Sequence, residues 1–110
     1  MTRITLVCAT AIILLSPVSF AGEVTGTVST LMVRQSDGLT YFYISGTPTG
    51  KPACAANPYW MIKDENSEAG KKIYSLLLAA KISQTPIKVV GANTCTRWVD
   101  GEDVETVFLQ

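Results

Sequence analysis

Asp37-Gly38-Leu39-Thr40-Tyr41-Phe42-Tyr43-Ile44-Ser45 is the stretch on which the fold of this chain turns. Aromatic and β-branched residues fill it from Thr40 to Ile44, the composition of a strand packed on a pleated surface. The Asp-Gly pair ahead of it signals a hairpin when another strand-like run comes before. That run is Glu23 to Val33, mostly Val, Thr and Ser in partial alternation, with Gly26 marking a bend or bulge. Strands one and two are therefore expected to be antiparallel neighbours, the first of them long and curved.

Downstream, Gly46 to Asn57 holds two prolines and two glycines and reads as a loop. Pro58 to Lys63 predicts a short third strand, with Trp60 and Ile62 on one face and Tyr59 and Met61 on the other. Asp64 to Ser67 is rich in capping residues: Asn66 or Ser67 is the expected N-cap, and Glu68 suits the positive end of the helix dipole. Ala69, Ile73, Leu76, Leu77 and Ala80 recur with the helical period and predict one buried stripe. Tyr74 and Leu78 form a second apolar strip, which either widens the core face or meets another helix across a subunit boundary. Pro86 stops the helix by Thr85, and Ile87 to Val90 reads as a fourth strand ending at Gly91. Ala92 to Asp103 is an expected loop and Val104 to Leu109 a last strand.

Residues 1–21 read as a cleaved export signal. Arg3 supplies the positive end, Ile4 to Leu15 the apolar segment, Pro17 a break, and Ser19-Phe20-Ala21 a small-x-small site ahead of Gly22. Cys8 lies inside the apolar segment rather than after it, which argues against a lipid-modified cysteine. No later stretch approaches the roughly 20 apolar residues of a spanning helix. Removing 21 residues from 110 leaves 89, enough for one domain with a modest core, periplasmic or secreted. Its cysteines are Cys54 and Cys95, and an even pair in an oxidising compartment predicts a disulfide. A redox-active thiol would want a C-x-x-C pair or a nearby histidine, and the chain has neither.

The absence of histidine removes the Ser-His-Asp and Cys-His arrangements and the commonest zinc ligand. Carboxylate catalysis would need Asp64, Glu65 and Glu68, or Asp100, Glu102, Asp103 and Glu105, to converge with split pKa values. Both groups read instead as solvated turns and helix starts, and the second lacks the spacing of an EF-hand calcium loop. No catalytic residue, cofactor or metal is expected. With Arg3 gone, eight Lys and Arg face nine Asp and Glu, so no basic field is available for nucleic acid. Binding has more support. Trp60, Trp98, Tyr41, Tyr43 and Tyr59 offer flat faces for sugar rings, and Asn93, Thr94, Thr96 and Arg97 offer hydrogen bonds. Trp60 also suits the core. Trp98, in a polar loop beside Cys95, either stacks on a ligand or covers the end of the domain.

Five strands with one helix between the third and fourth is the element order of the OB-fold, a five-stranded Greek-key barrel. Thr25-Gly26-Thr27-Val28, Tyr41-Phe42-Tyr43-Ile44-Ser45-Gly46, Ala53-Cys54, Trp60, Ile73-Tyr74-Ser75-Leu76-Leu77 and Thr85-Pro86-Ile87-Lys88-Val89 occur in the order and spacing of a family. Over about residues 24 to 91 the chain resembles the B subunits of subtilase cytotoxin and typhoid toxin. The resemblance implies a homopentamer with helices toward a central pore, a sialylated or related glycan on the outer face, and an enzymatic A chain as partner. In that family a serine just before the strand-one glycine contacts sugar; Thr25 stands at the matching position. The family's longer Tyr- and Trp-rich connection after strand four, and its additional disulfide, are missing here. The leading expectation is an exported glycan-binding module using Thr25, Arg97 and Trp98, with Cys54 and Cys95 as its staple. The rival is a periplasmic envelope accessory or inhibitor protein with the same fold and no sugar site.

Overall fold

The computed structural model describes residues 21–110, a mainly β domain with one helix. The export-signal segment Met1 to Phe20, including Cys8, lies outside the described residues. In chain order the elements are β1 Glu23–Gly26, β2 Val28–Val33, β3 Thr40–Ile44, β4 Trp60–Met61, α1 Glu68–Ser83, β5 Ile87–Gly91 and β6 Glu102–Leu109. The strands pair in the order β1-β5-β6-β4-β3-β2. Every pairing is antiparallel except β4 with β6.

The two ends of that order, β1 and β2, are consecutive in the chain and separated by Thr27 alone, so the sheet curls until its ends share one run of backbone. The single long strand expected over Glu23 to Val33 is thus two strands with different partners, raising the count from five to six. Close approach sets the corner: a Cβ on Gly26 would strike Ser45 and the Gly46 backbone. Ser45 fastens it, its N–H donating to Thr27 O at 2.9 Å and its Oγ accepting from Thr27 N at 3.0 Å. The predicted hairpin joins β2 to β3. Gly38 sits at φ 74°, a backbone region open to glycine at little cost, and its N–H donates to Arg34 O at 2.8 Å.

Alternation along the strands builds the core. Thr40, Phe42 and Ile44 of β3 and Ile87, Val89 and Gly91 of β5 face inward. They meet Trp60 and Ile62 on one side, while Tyr59 and Met61 form a second cluster with Leu39, as the strand period predicts. β4 is shorter than the expected Pro58 to Lys63. β6 starts at Glu102 rather than Val104, because its first residues pair in parallel with Trp60 and Met61.

Ser67 is the N-cap, its Oγ accepting from Gly70 N at 2.9 Å. The buried helical face runs through Gly70, Leu77 and Ala80, with Ile73 half-buried, while Ala69 is exposed. The expected stripe holds at Ile73, Leu77 and Ala80, and only its first member changes, from Ala69 to Gly70, which lies against the Asp64 carbonyl where a Cβ would not fit. Tyr74 and Leu78 do not widen the core. They stay exposed, in line with Ile82. No helix among the described residues is long and apolar enough to cross a membrane.

Candidate functional site

The connection from β5 to β6 carries Cys95, Arg97 and Trp98, and two devices hold it. One is the Cys54–Cys95 disulfide, with Cα atoms 6.2 Å apart, which ties it to the loop ahead of β4. The other is Asp103, fully buried at the start of β6. Its Oδ2 accepts from Thr94 Oγ1 at 2.6 Å, Thr96 N at 2.8 Å and Thr96 Oγ1 at 2.7 Å, and its Oδ1 from Arg97 N at 3.0 Å. Burial pushes this carboxyl up, but the hydrogen bonds from Thr94, Thr96 and Arg97 outweigh it and leave Asp103 below the usual aspartate value.

Arg97 then binds this loop to two others. Its Nε donates to both Glu65 oxygens at 3.0 Å, and its Nη2 to Asp37 O at 3.0 Å. Arg34 grips the same Asp37 through Nε at 2.9 Å and Nη2 at 2.6 Å, and holds its carboxyl well below the ordinary range. The Arg34 guanidinium also lies over the Trp98 ring, 4.1 Å from its centroid, a cation–π contact that braces the indole while leaving it 42% exposed. Beside this cluster a groove of about 420 Å³ runs between the β2–β3 end and the helix, lined by Val33, Thr40, Ile62, Glu65, Lys71 and Tyr74 among others. Glu65 belongs to both, since its Oε1 accepts from Thr40 N at 2.9 Å as well as from Arg97.

Arg97 and Trp98 therefore share one site, but Thr25 is elsewhere: it sits exposed on β1, opposite Lys88 and against Gly46. The Arg97 guanidinium is taken up by Glu65 and Asp37, so its role here is to position the loop. Thr94 and Thr96, expected as sugar contacts, spend their hydroxyls on Asp103. Tyr59 packs edge-on against Tyr41 and Tyr43 and is buried, and Trp60 is fully in the core. Arg34, Asp37 and Glu65 were not read from the sequence as parts of this site. Arg97 lies 60 residues from Asp37 and 32 from Glu65, and no local pattern links them.

The second acidic group needs correction. Glu102 and Asp103 are not parts of a solvated turn but fully buried. Glu102 accepts from Gly22 N at 3.1 and 3.2 Å and from Asn93 N at 2.9 Å. Asp100 accepts from the Tyr59 hydroxyl and from Asn57 Nδ2, so these carboxylates are occupied by internal donors. Among the described residues no group of three or more His, Cys, Asp or Glu could hold a metal ion. Lys51 donates to Tyr59 O at 3.0 Å with its ammonium 3.9 Å above the Trp60 ring. Burial lowers its pKa to about 8, with Glu102 acting in the opposite direction.

What fold and site define together is a disulfide-stapled, mainly β domain that presents one braced indole beside a groove. No known protein family, curated protein or solved structure matched the chain on comparison.

Proposed function

We propose that this chain is an exported, non-catalytic binding module of the OB-fold type, which recognises a glycan at the Trp98 edge of the groove. The barrel reading is supported by the strand order, its one parallel pair, and ends that are consecutive in the chain; with β1 and β2 counted as one bent strand, five remain. Export is supported by the disulfide, since such bonds persist in oxidising compartments. The observation that carries the sugar reading is the half-exposed Trp98, held flat by Arg34 in a cluster joined through Glu65 to a groove that Lys71 also lines. Apolar sugar faces stack on such rings, and their hydroxyls need polar groups nearby.

Trp98→Ala is expected to weaken binding of the best ligand on a glycan array at least about tenfold, equal to about 1.4 kcal/mol, with the circular dichroism of the domain unchanged. Thr25→Ala forms a separate arm, and a loss there in place of Trp98 would move the contact to β1. A purified domain silent across the array leaves the accessory or inhibitor reading.

Assembly in this proposal runs through the helix. Tyr74, Leu78 and Ile82, 37%, 39% and 77% exposed, repeat every fourth residue along one unpartnered stripe. Such a stripe suits contact with the same stripe of other copies, as in a pentamer. Native mass spectrometry is expected to give five times the mature chain mass, and Leu78→Glu with Ile82→Glu to give one. A wild-type monomer at tens of micromolar removes the pentamer and with it the case for an enzymatic A chain seated on the ring.

A further inference from the structure

We propose that cleavage between Ala21 and Gly22 creates a buried ion pair, in which the new α-ammonium of Gly22 is the partner of Glu102. This rests on the export reading above. Glu102 is fully buried, and an ionised carboxylate in that position needs a compensating charge as well as hydrogen bonds. The donors it has are the backbone nitrogens of Gly22 and Asn93. Lys51, the nearby cation, acts on Glu102 through space, but its ammonium is engaged by Tyr59 O and the Trp60 ring, and the hydrogen bonds Glu102 accepts come from backbone nitrogens.

Gly22 N stands almost equally far from the two carboxylate oxygens, 3.2 Å from Oε1 and 3.1 Å from Oε2. A peptide nitrogen has one hydrogen to divide between them. An ammonium has three and can give each oxygen its own. The surroundings are shaped for this contact: Gly22 is buried, and a Cβ on either Gly22 or Gly91 would run into the Glu102 carboxylate. Gly91 N donates to Gly22 O at 2.8 Å, and Glu23 exchanges two backbone hydrogen bonds with Thr49, so Gly22 is held in place on its C-terminal side.

The chemistry balances with water as co-reactant and a leader peptidase as catalyst. Hydrolysis breaks the Ala21–Gly22 amide, the hydroxyl goes to the Ala21 carbonyl carbon, a hydrogen goes to Gly22 N, and the free amine takes up one proton near neutral pH. Processing thereby adds a positive charge within hydrogen-bond reach of a buried negative one. The mature domain gains stability that the uncut precursor lacks, which favours folding after export over folding before it.

Three measurements on protein purified from the periplasm test this. Intact mass and terminal sequencing are expected to place the first residue at Gly22. Acylation at pH 7 is expected to label the Gly22 α-amine at least about tenfold more slowly in the folded protein than in urea, given that local opening must precede reaction. One extra Ala before Gly22 is expected to lower the thermal midpoint by at least about 5 °C, and to lower it much less in a Glu102→Gln background. A first residue other than Gly22 defeats the export boundary and this proposal together. Starting at Gly22 with an α-amine labelled as fast folded as unfolded, or an Ala penalty unchanged by Glu102→Gln, leaves the boundary standing and overturns the ion pair. If Glu102→Gln does not fold, the labelling rates alone decide.

Discussion

Replacing Cys54 and Cys95 together by serine is expected to lower the stability of the mature domain by about 4 kcal/mol. The bond joins residues 41 apart, so in the unfolded chain it closes a long loop and removes many conformations. In the native state it spans 6.2 Å between Cα atoms, an ordinary separation for a bridge. A domain of 89 residues has only about 4 to 13 kcal/mol of total stability, so the loss removes at least about three-tenths of it and in the marginal case all of it. Urea unfolding checks this. With a slope of about 1–3 kcal/mol/M, the midpoint should fall by more than about 1 M on substitution or on reduction. A double variant whose unfolding curve overlays the wild type would show that the loop ahead of β4 and the β5–β6 connection are held by other contacts.

Asp103→Ala is expected to cost about 3–5 kcal/mol, the range for removing one member of a buried charged network. Thr94 Oγ1, Thr96 N, Thr96 Oγ1 and Arg97 N all lose their acceptor at once, and two of these are backbone groups that cannot turn to solvent without moving the loop. That loop carries Trp98, so near-ultraviolet circular dichroism should lose intensity even where the far-ultraviolet spectrum survives. The same carboxylate gives the domain an acid-sensitive limb. Its folded-state pKa is below the unfolded value, so its stabilisation is complete above the ordinary aspartate pKa of about 3.9 and is lost as pH falls through the folded value. Asp103→Asn should flatten this limb while lowering stability at neutral pH. Identical acid transitions in Asn variant and wild type would place the sensitive group elsewhere, Asp37 being the next to try.

Local chemistry carried the sequence reading where neighbours in the chain are also neighbours in space. Asp37-Gly38 predicts the hairpin, alternation separates Trp60 and Ile62 from Tyr59 and Met61, and the run of capping residues places the helix start at Asn66 or Ser67, of which Ser67 is the cap. Prediction fell short wherever a distant segment sets the answer. Thr27 breaks the first strand in two because Ser45 and Gly46 press against Gly26. The first turn of the helix buries Gly70 instead of Ala69 because Gly70 meets the Asp64 carbonyl. Glu102 and Asp103 leave the solvent because β6 enters the sheet beside β4.

For the site, the residue types were legible but their company was not. Trp98 stands out in a polar loop from composition alone, whereas its brace, Arg34, comes from the end of β2, far away in the sequence. Thr25, Arg97 and Trp98 read as one contact surface along the chain, and folding separates the first from the other two. By itself the sequence determined the class of elements, the hairpin, the helix start and the pairing of Cys54 with Cys95, since each follows from local propensity or from a count of two thiols. Tertiary structure alone decided which carboxylates are buried, which arginine positions and which one stacks, and where a free amine at Gly22 would go. Those outcomes depend on charges and hydrogen bonds between residues tens of positions apart, and only the closed sheet brings them within reach.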